Sequence, residues 1–222
     1  MTHPFRLLIA LASAAMIAVA TAAEPNTPGV DAIQAANREF MAGQFDRALA
    51  TLDQAGEPAK SAFALDLRGC ILMEQGKLAE AVELFKAAHE AEPRSGARLH
   101  MGDALLRQGK WEEARDVYQT AAKETNILMH HERLRFATLM SYLGQKDDAG
   151  AQQALNHIFF PTESAAYYYA QAAWAFAHGE RRSGDKWIRR AGDIFPEKST
   201  AWFARHLYER GWIKAKPPLT AE

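Results

Sequence analysis

The side chains of this chain that could do chemistry are scattered rather than grouped. Eight histidines occur in 222 residues, and the densest cluster is His130-His131-Glu132. Neighbouring residues of a helix point about 100° apart around its axis, so these three cannot easily grip one ion. The His-Glu-x-x-His spacing of helical zinc sites does not occur, which leaves the cluster a surface or groove role. Cys70 is the only cysteine, so no disulfide can form within the chain. Its thiol is read as a small apolar side chain on a helix, with a reactive or intermolecularly paired thiol as the alternative. No glycine-rich phosphate loop, serine nucleophile elbow or Cys-x-x-Cys pair is present. No catalytic residue, metal ligand set or cofactor is therefore expected, and the chain is read as a non-enzyme. An enzyme would have to rest on isolated acids such as Asp66 and Asp103.

The charge balance narrows the partners. With 26 Lys plus Arg against 27 Asp plus Glu, there is no excess of positive charge to draw in a nucleic acid. At 48% hydrophobic and 24% charged residues, the composition is that of an ordinary folded protein.

Residues 1–23 stand apart. A short start with His3 and Arg6 leads into an apolar run from Leu7 to Val19, followed by Ala20-Thr21-Ala22-Ala23. This is the three-part layout of a secretory signal peptide, with small residues where a signal peptidase cuts. Export follows as the expectation, with the periplasm as destination and a mature chain starting near Ala23 or Glu24. Secretion, or an uncleaved N-terminus serving as the one link to a membrane, is the alternative.

The elements that would position any binding residues announce themselves as a period. Gly43, Gly76, Gly109, Gly144 and Gly179 recur at steps of 33, 33, 35 and 35 residues, and Gly211 follows after 32 more. Pro93, Pro161 and Pro196 each lie 17 residues after their glycine, and Asn126 takes that place in the remaining unit. A left-handed glycine closes the first helix of each pair. Small residues at Gly69, Gly102, Ala137 and Ala172 are expected to face Ala81, Ala114, Ala149 and Gly184, letting two helices approach, with Phe85 and Tyr118 filling the space beside them. Proline then ends the second helix, and Ser95 and Ser199 stand where the next helix wants a cap.

The set Gly69, Leu72, Gly76, Ala81, Phe85, Ala88 and Pro93, repeated as Gly102, Leu105, Gly109, Ala114, Tyr118 and Ala121, resembles the tetratricopeptide repeat (TPR). The resemblance implies an all-α, right-handed superhelical solenoid. It comprises about five helix pairs, at roughly 29–59, 62–94, 95–129, 130–164 and 165–196, plus a capping helix near Ser199 to Arg210. Residues 24–212 form the solenoid domain and 213–222 a tail. In the fourth unit Gln153 replaces the large apolar residue, which points to a shifted boundary.

The resemblance also implies that the first helix of each pair lines a concave groove that holds a protein or peptide segment. Groove positions are expected at Asn37 and Phe40 in the first unit, at Phe63, Asp66, Cys70 and Met73 in the second, and at Leu99, Asp103, Leu106 and Arg107 in the third. His131, Leu134, Thr138 and Tyr142 follow in the fourth, Tyr169 and Phe176 in the fifth, and Arg205 and Tyr208 on the capping helix. Ile33 and Asp66 stand where the carboxylate-clamping members of the family have lysine, so that use of the groove is not expected. Aromatic residues crowd the C-terminal third, and they are expected to pack the last pairs under the capping helix. Self-association into a homo-oligomer is the alternative use of that surface. The function expected is that of an exported, non-catalytic scaffold or adaptor, with a self-associating structural module, or the repeat part of an envelope enzyme, as alternatives.

Overall fold

Glycines of the period end helices by carrying the backbone into the left-handed region. Gly43, Gly76, Gly109, Gly179 and Gly211 have φ between 70° and 80°. In each, two amides fold back on the last turn, as where Gly76 N donates to Met73 O at 3.1 Å and Lys77 N to Leu72 O at 2.9 Å. That paired closure is the Schellman arrangement, and a residue with a Cβ adopts it only at a cost.

The computed structural model describes residues 28–93, 96–124 and 128–219. The expected leader, Ser95 and Asn126 lie outside the described residues. Within them the chain is all-α, with α1 Pro28–Met41, α2 Phe45–Asp53, α3 Ala62–Glu74, α4 Leu78–Ala91, α5 Ala97–Arg107 and α6 Trp111–Glu124. There follow α7 Leu128–Gln145, α8 Asp148–Asn156, α9 Ala166–Ala177, α10 Arg181–Ile194 and α11 Glu197–Glu209, with one 3-10 turn at Glu57–Lys60. Helices pack on their neighbours along the chain, with α9 packing on α7 more than on α8, so the architecture is a solenoid of five pairs closed by a lone helix. No helix among the described residues is long and apolar enough to cross a membrane.

The pairs close by ring on glycine more than by small residue on small residue. A Cβ at Gly69 would sit 2.5 Å from the Phe85 ring, and one at Gly102 would overlap Tyr118. Both rings are fully buried, and so are Ala48, Ala81, Ala114 and Ala151, each five residues after its left-handed turn.

The fourth unit corrects the period. Its left-handed residue is Lys146, with φ 62°, whereas Gly144 stays inside α7. The closing bonds belong to Lys146 N, which donates to Leu143 O, and Asp147 N, which donates to Tyr142 O. Gly144 is small for another reason, since a Cβ there would come within 2.7 Å of the Trp111 indole. The two-residue shift places Ala151 and Leu155, not Ala149 and Gln153, in the buried positions of α8. Two smaller boundaries also move. Pro161 lies beyond the end of α8 at Asn156, and α11 starts at Glu197 rather than Ser199, with Pro196 in the capping position.

The last helix does not simply cover the end of the stack. Its Trp202, Phe203 and Leu207 join the main core with Phe136 of α7 and Tyr169 of α9, and Phe136 meets Trp202 and Phe203 edge-on at 5.9 and 5.2 Å. The chain then turns at Gly211 and runs back, so that Leu219 packs on the N-terminal cluster containing Ile33, Phe40 and Leu67.

Candidate protein-binding groove

Residues of the first helices α1, α3 and α5 meet α11 around one cavity, and α11 packs on α7 and α9. The α11 helix also meets α3 and α5 through polar groups, some of them carried by its core aromatics. Trp202 Nε1 donates to Asp103 Oδ2 at 3.1 Å, and Tyr118 Oη donates to Oδ1 of the same carboxylate at 2.8 Å. His206 Nε2 stands 3.4 Å from Asp103 Oδ1. Asp103 is 7% exposed and His206 3%. Burial pushes the Asp103 carboxyl up, but the His206 imidazolium beside it outweighs that and holds it below its ordinary range. Burial disfavours the charged His206 ring, and Asp103 again outweighs it, holding the ring above its ordinary value.

A second polar junction surrounds Glu74, at the C-terminal end of α3. A carboxylate there meets the negative end of the helix dipole and needs cations close by. It has three: Arg205 Nη1 at 2.8 Å, Arg107 Nη2 at 3.0 Å and Lys216 Nζ at 3.6 Å. Arg107 also donates to the Met73 carbonyl at 3.2 Å and pairs with Glu209 of α11. The Glu74 side chain is only 6% exposed, with Arg205 at 12% and Arg107 at 16%, so these ion pairs are shielded from water.

The tail completes the lining. Arg205 Nη2 donates to the Pro217 carbonyl at 3.2 Å, and Pro217 is buried. Between α11, the tail and the groove floor lies a cavity of about 60 Å³, bordered by Phe40, Cys70, His100, Asp103, His206 and Leu219 among others.

The expected groove residues divide accordingly. Phe40, Met73, Asp103, Arg107 and Arg205 come together with Cys70 around this cavity, and Asp66 joins them through His100 at 2.9 Å. Leu99, Leu106 and Leu134 are buried in the core, as are Tyr169 against Phe203 at 5.8 Å and Phe176 against Trp212 at 6.2 Å. Asn37, His131, Thr138 and Tyr208 are half-buried, and Phe63 is 48% exposed. Thr138 spends its hydroxyl on Leu134 O of its own helix. Tyr142 turns to its pair partner instead, with the Arg115 guanidinium over its ring at 4.4 Å and Gly150 beneath it, following the shifted register of its unit. The sequence reading missed Glu74, His100, Trp202, His206 and the tail. The one signal was α11 itself, where Trp202, Arg205, His206 and Glu209 recur at three- and four-residue spacing and so share one face of that helix.

The tetratricopeptide repeat family model matches residues 67–126, which run from α3 past the end of α6. Over that span the chain carries tetratricopeptide repeats. No curated protein matches this chain. Among solved structures, pilF of Pseudomonas aeruginosa is 16% identical, with 83% of this chain and 86% of that one covered at a TM-score of 0.60. A tetratricopeptide repeat protein of Parabacteroides merdae is 14% identical, with 86% and 76% covered and a TM-score of 0.62. MamA of MSR-1 is also 14% identical, with 74% and 95% covered and a TM-score of 0.51. At such identities the likeness is one of TPR fold. TPR domains generally mediate contacts between proteins and generally serve as non-catalytic scaffolds.

Proposed function

We propose that this TPR protein is an exported, non-catalytic adaptor that holds an extended segment of another protein on its concave face. The observation that carries this is that the face already holds an extended segment, the chain's own residues 213–219. The segment is gripped by means suited to a peptide ligand. Arg205 bonds its main-chain carbonyl, Glu74 takes Lys216, and the N-terminal apolar cluster takes Leu219. Main-chain bonds supply affinity and side-chain pockets supply selection. A partner segment occupies these positions in place of the tail. Residues 1–23, with their apolar run and Ala-rich end, support the export part of the proposal.

The test compares the full chain with one ending at Gly211, using a labelled peptide of residues 212–222 and fluorescence anisotropy. A tethered tail competes at an effective concentration on the order of millimolar, so its removal should raise the apparent affinity by more than about tenfold. Equal and negligible binding to a truncated chain of unchanged circular dichroism would remove the proposal. N-terminal sequencing of the mature protein tests export, with Ala23 or Glu24 expected as the first residue.

Self-association has an observation of its own. Phe159, Phe160 and Ile194 are each more than half exposed, and Phe160 and Ile194 border a hollow with Tyr167, Tyr168 and Trp187. Light scattering of the mature protein decides it, a dimer favouring this second reading.

A further inference from the structure

The floor of the groove holds a cluster that peptide binding does not use. Asp66 and Cys70 stand four residues apart on α3 and so project from one face of that helix. His100 reaches them from α5, with Nδ1 at 2.9 and 3.1 Å from the two Asp66 oxygens and 3.7 Å from Cys70 Sγ. One ligand atom from each residue lies within 4.8 Å of the other two. A carboxylate oxygen, a thiolate sulfur and an imidazole nitrogen are the donors that borderline-soft divalent ions take.

The distances suit such an ion. Metal–nitrogen bonds of about 2.0 Å and metal–sulfur bonds of about 2.3 Å at a tetrahedral angle put nitrogen and sulfur about 3.5 Å apart. The observed 3.7 Å is close to that separation. Nitrogen and oxygen, now in hydrogen-bond contact, need to part by only a few tenths of an ångström. The adjoining cavity of about 60 Å³ supplies the remaining coordination position. It has room for a water molecule or two. It falls far below the roughly 300 Å³ at which organic ligand pockets begin. Cys70 and His100 open onto it, and its far wall carries Asp103 and His206, both polar.

We propose that Asp66, Cys70 and His100 form a three-ligand site for a divalent ion of the Zn²⁺ class, with water in the fourth position toward the cavity. The site ties α3 to α5 beneath α11, linking two neighbouring repeats. It stands independently of the adaptor proposal, because its readout needs no partner protein.

The experiment titrates the metal-free full chain with Co²⁺, a spectroscopic substitute for Zn²⁺. Expected are a thiolate-to-cobalt charge-transfer band and visible bands of tetrahedral cobalt, saturating at one equivalent and abolished by Zn²⁺. Cys70→Ser, nearly isosteric, should keep the circular dichroism spectrum and lose the charge-transfer band. Asp66→Asn and His100→Gln should each weaken binding by about tenfold or more, the scale on which even outer-shell partners act. No charge-transfer band in the wild-type chain at excess Co²⁺ would overturn the proposal. So would a band of unchanged affinity in both Asp66→Asn and His100→Gln, which would mean that the thiol binds alone.

Discussion

Arg205 of α11 and Glu74 of α3, separated by 131 residues in the chain, form an ion pair of 2.8 Å across the concave face. The pair converts a capping helix into an internal brace. Phe203 and Leu207 fasten α11 to the C-terminal pairs through apolar contact, whereas Arg205 fastens it to the second pair through charge. Stacked repeats otherwise contact only their neighbours. This brace couples units that the solenoid alone would leave independent.

Removing Glu74 should therefore cost more than removing Lys216, its partner at the rim. Glu74→Ala strands Arg107 and Arg205, both largely shielded, and breaking a buried pair in this way costs about 3–5 kcal/mol. Lys216, whose side chain is 54% exposed, is the control. Lys216→Ala should cost about 0–1 kcal/mol, as for surface ion pairs generally. Urea unfolding of the two variants measures both.

The same groups give stability two pH limbs. Burial alone would raise Glu74, but Arg107 and Arg205 outweigh it and hold the carboxyl below its ordinary 4.5. Its contribution is complete above the unfolded value and is lost as the pH falls through the folded one. For His206 the sign reverses. Burial alone would lower the ring, but Asp103 outweighs it and holds it above its ordinary 6.5, so the contribution is complete below 6.5 and lost as the pH rises through the folded value. Glu74→Gln should flatten the acid limb of the urea midpoint against pH, and His206→Gln the alkaline limb. An alkaline limb unchanged in His206→Gln would remove that residue from the account.

The solenoid was legible because its punctuation is local. A left-handed turn asks for glycine wherever it falls, and Gly76 and Gly109 show it in the sequence alone. The brace was not legible, because Glu74 and Arg205 are joined only by the way α11 returns along the concave face, and no local spacing records that. His100 was hidden similarly. It reads as one more polar residue of α5 until α3 brings Asp66 and Cys70 beside it. Gly144 misled in the opposite direction, since a glycine that serves ring packing looks the same in sequence as one that serves a turn.

Glycines of the two kinds should respond oppositely to alanine. At Gly102 the new methyl group would enter the Tyr118 ring, and at Gly69 the Phe85 ring. Overpacking of this kind costs about 1–3 kcal/mol. Gly192, inside α10, has nothing within 4 Å of its Cβ position and no left-handed φ. Gly192→Ala should instead stabilise by about 0.5–1 kcal/mol, the ordinary helix preference. Thermal unfolding of the three single variants gives the order.

The fourth unit offers the sharpest test of its corrected register. Lys146 holds φ at 62° with a full side chain, a conformation that costs an L-residue about 1–2 kcal/mol. Lys146→Gly relieves this and should raise stability by about 1 kcal/mol, offset in part by the greater freedom of glycine in the unfolded chain. Lys146 is exposed and makes no closing bond beyond its own amide to Leu143 O, so the exchange removes little else. Were Gly144 the turn residue, Gly144→Ala would suffer from backbone strain and leave the packing around Trp111 untouched. With Lys146 as the turn residue, the damage comes from the indole 2.7 Å away and should be relieved by shrinking the ring. Adding Trp111→Leu to Gly144→Ala should then cost less than the two single changes together, a coupling that a double-mutant cycle reads directly.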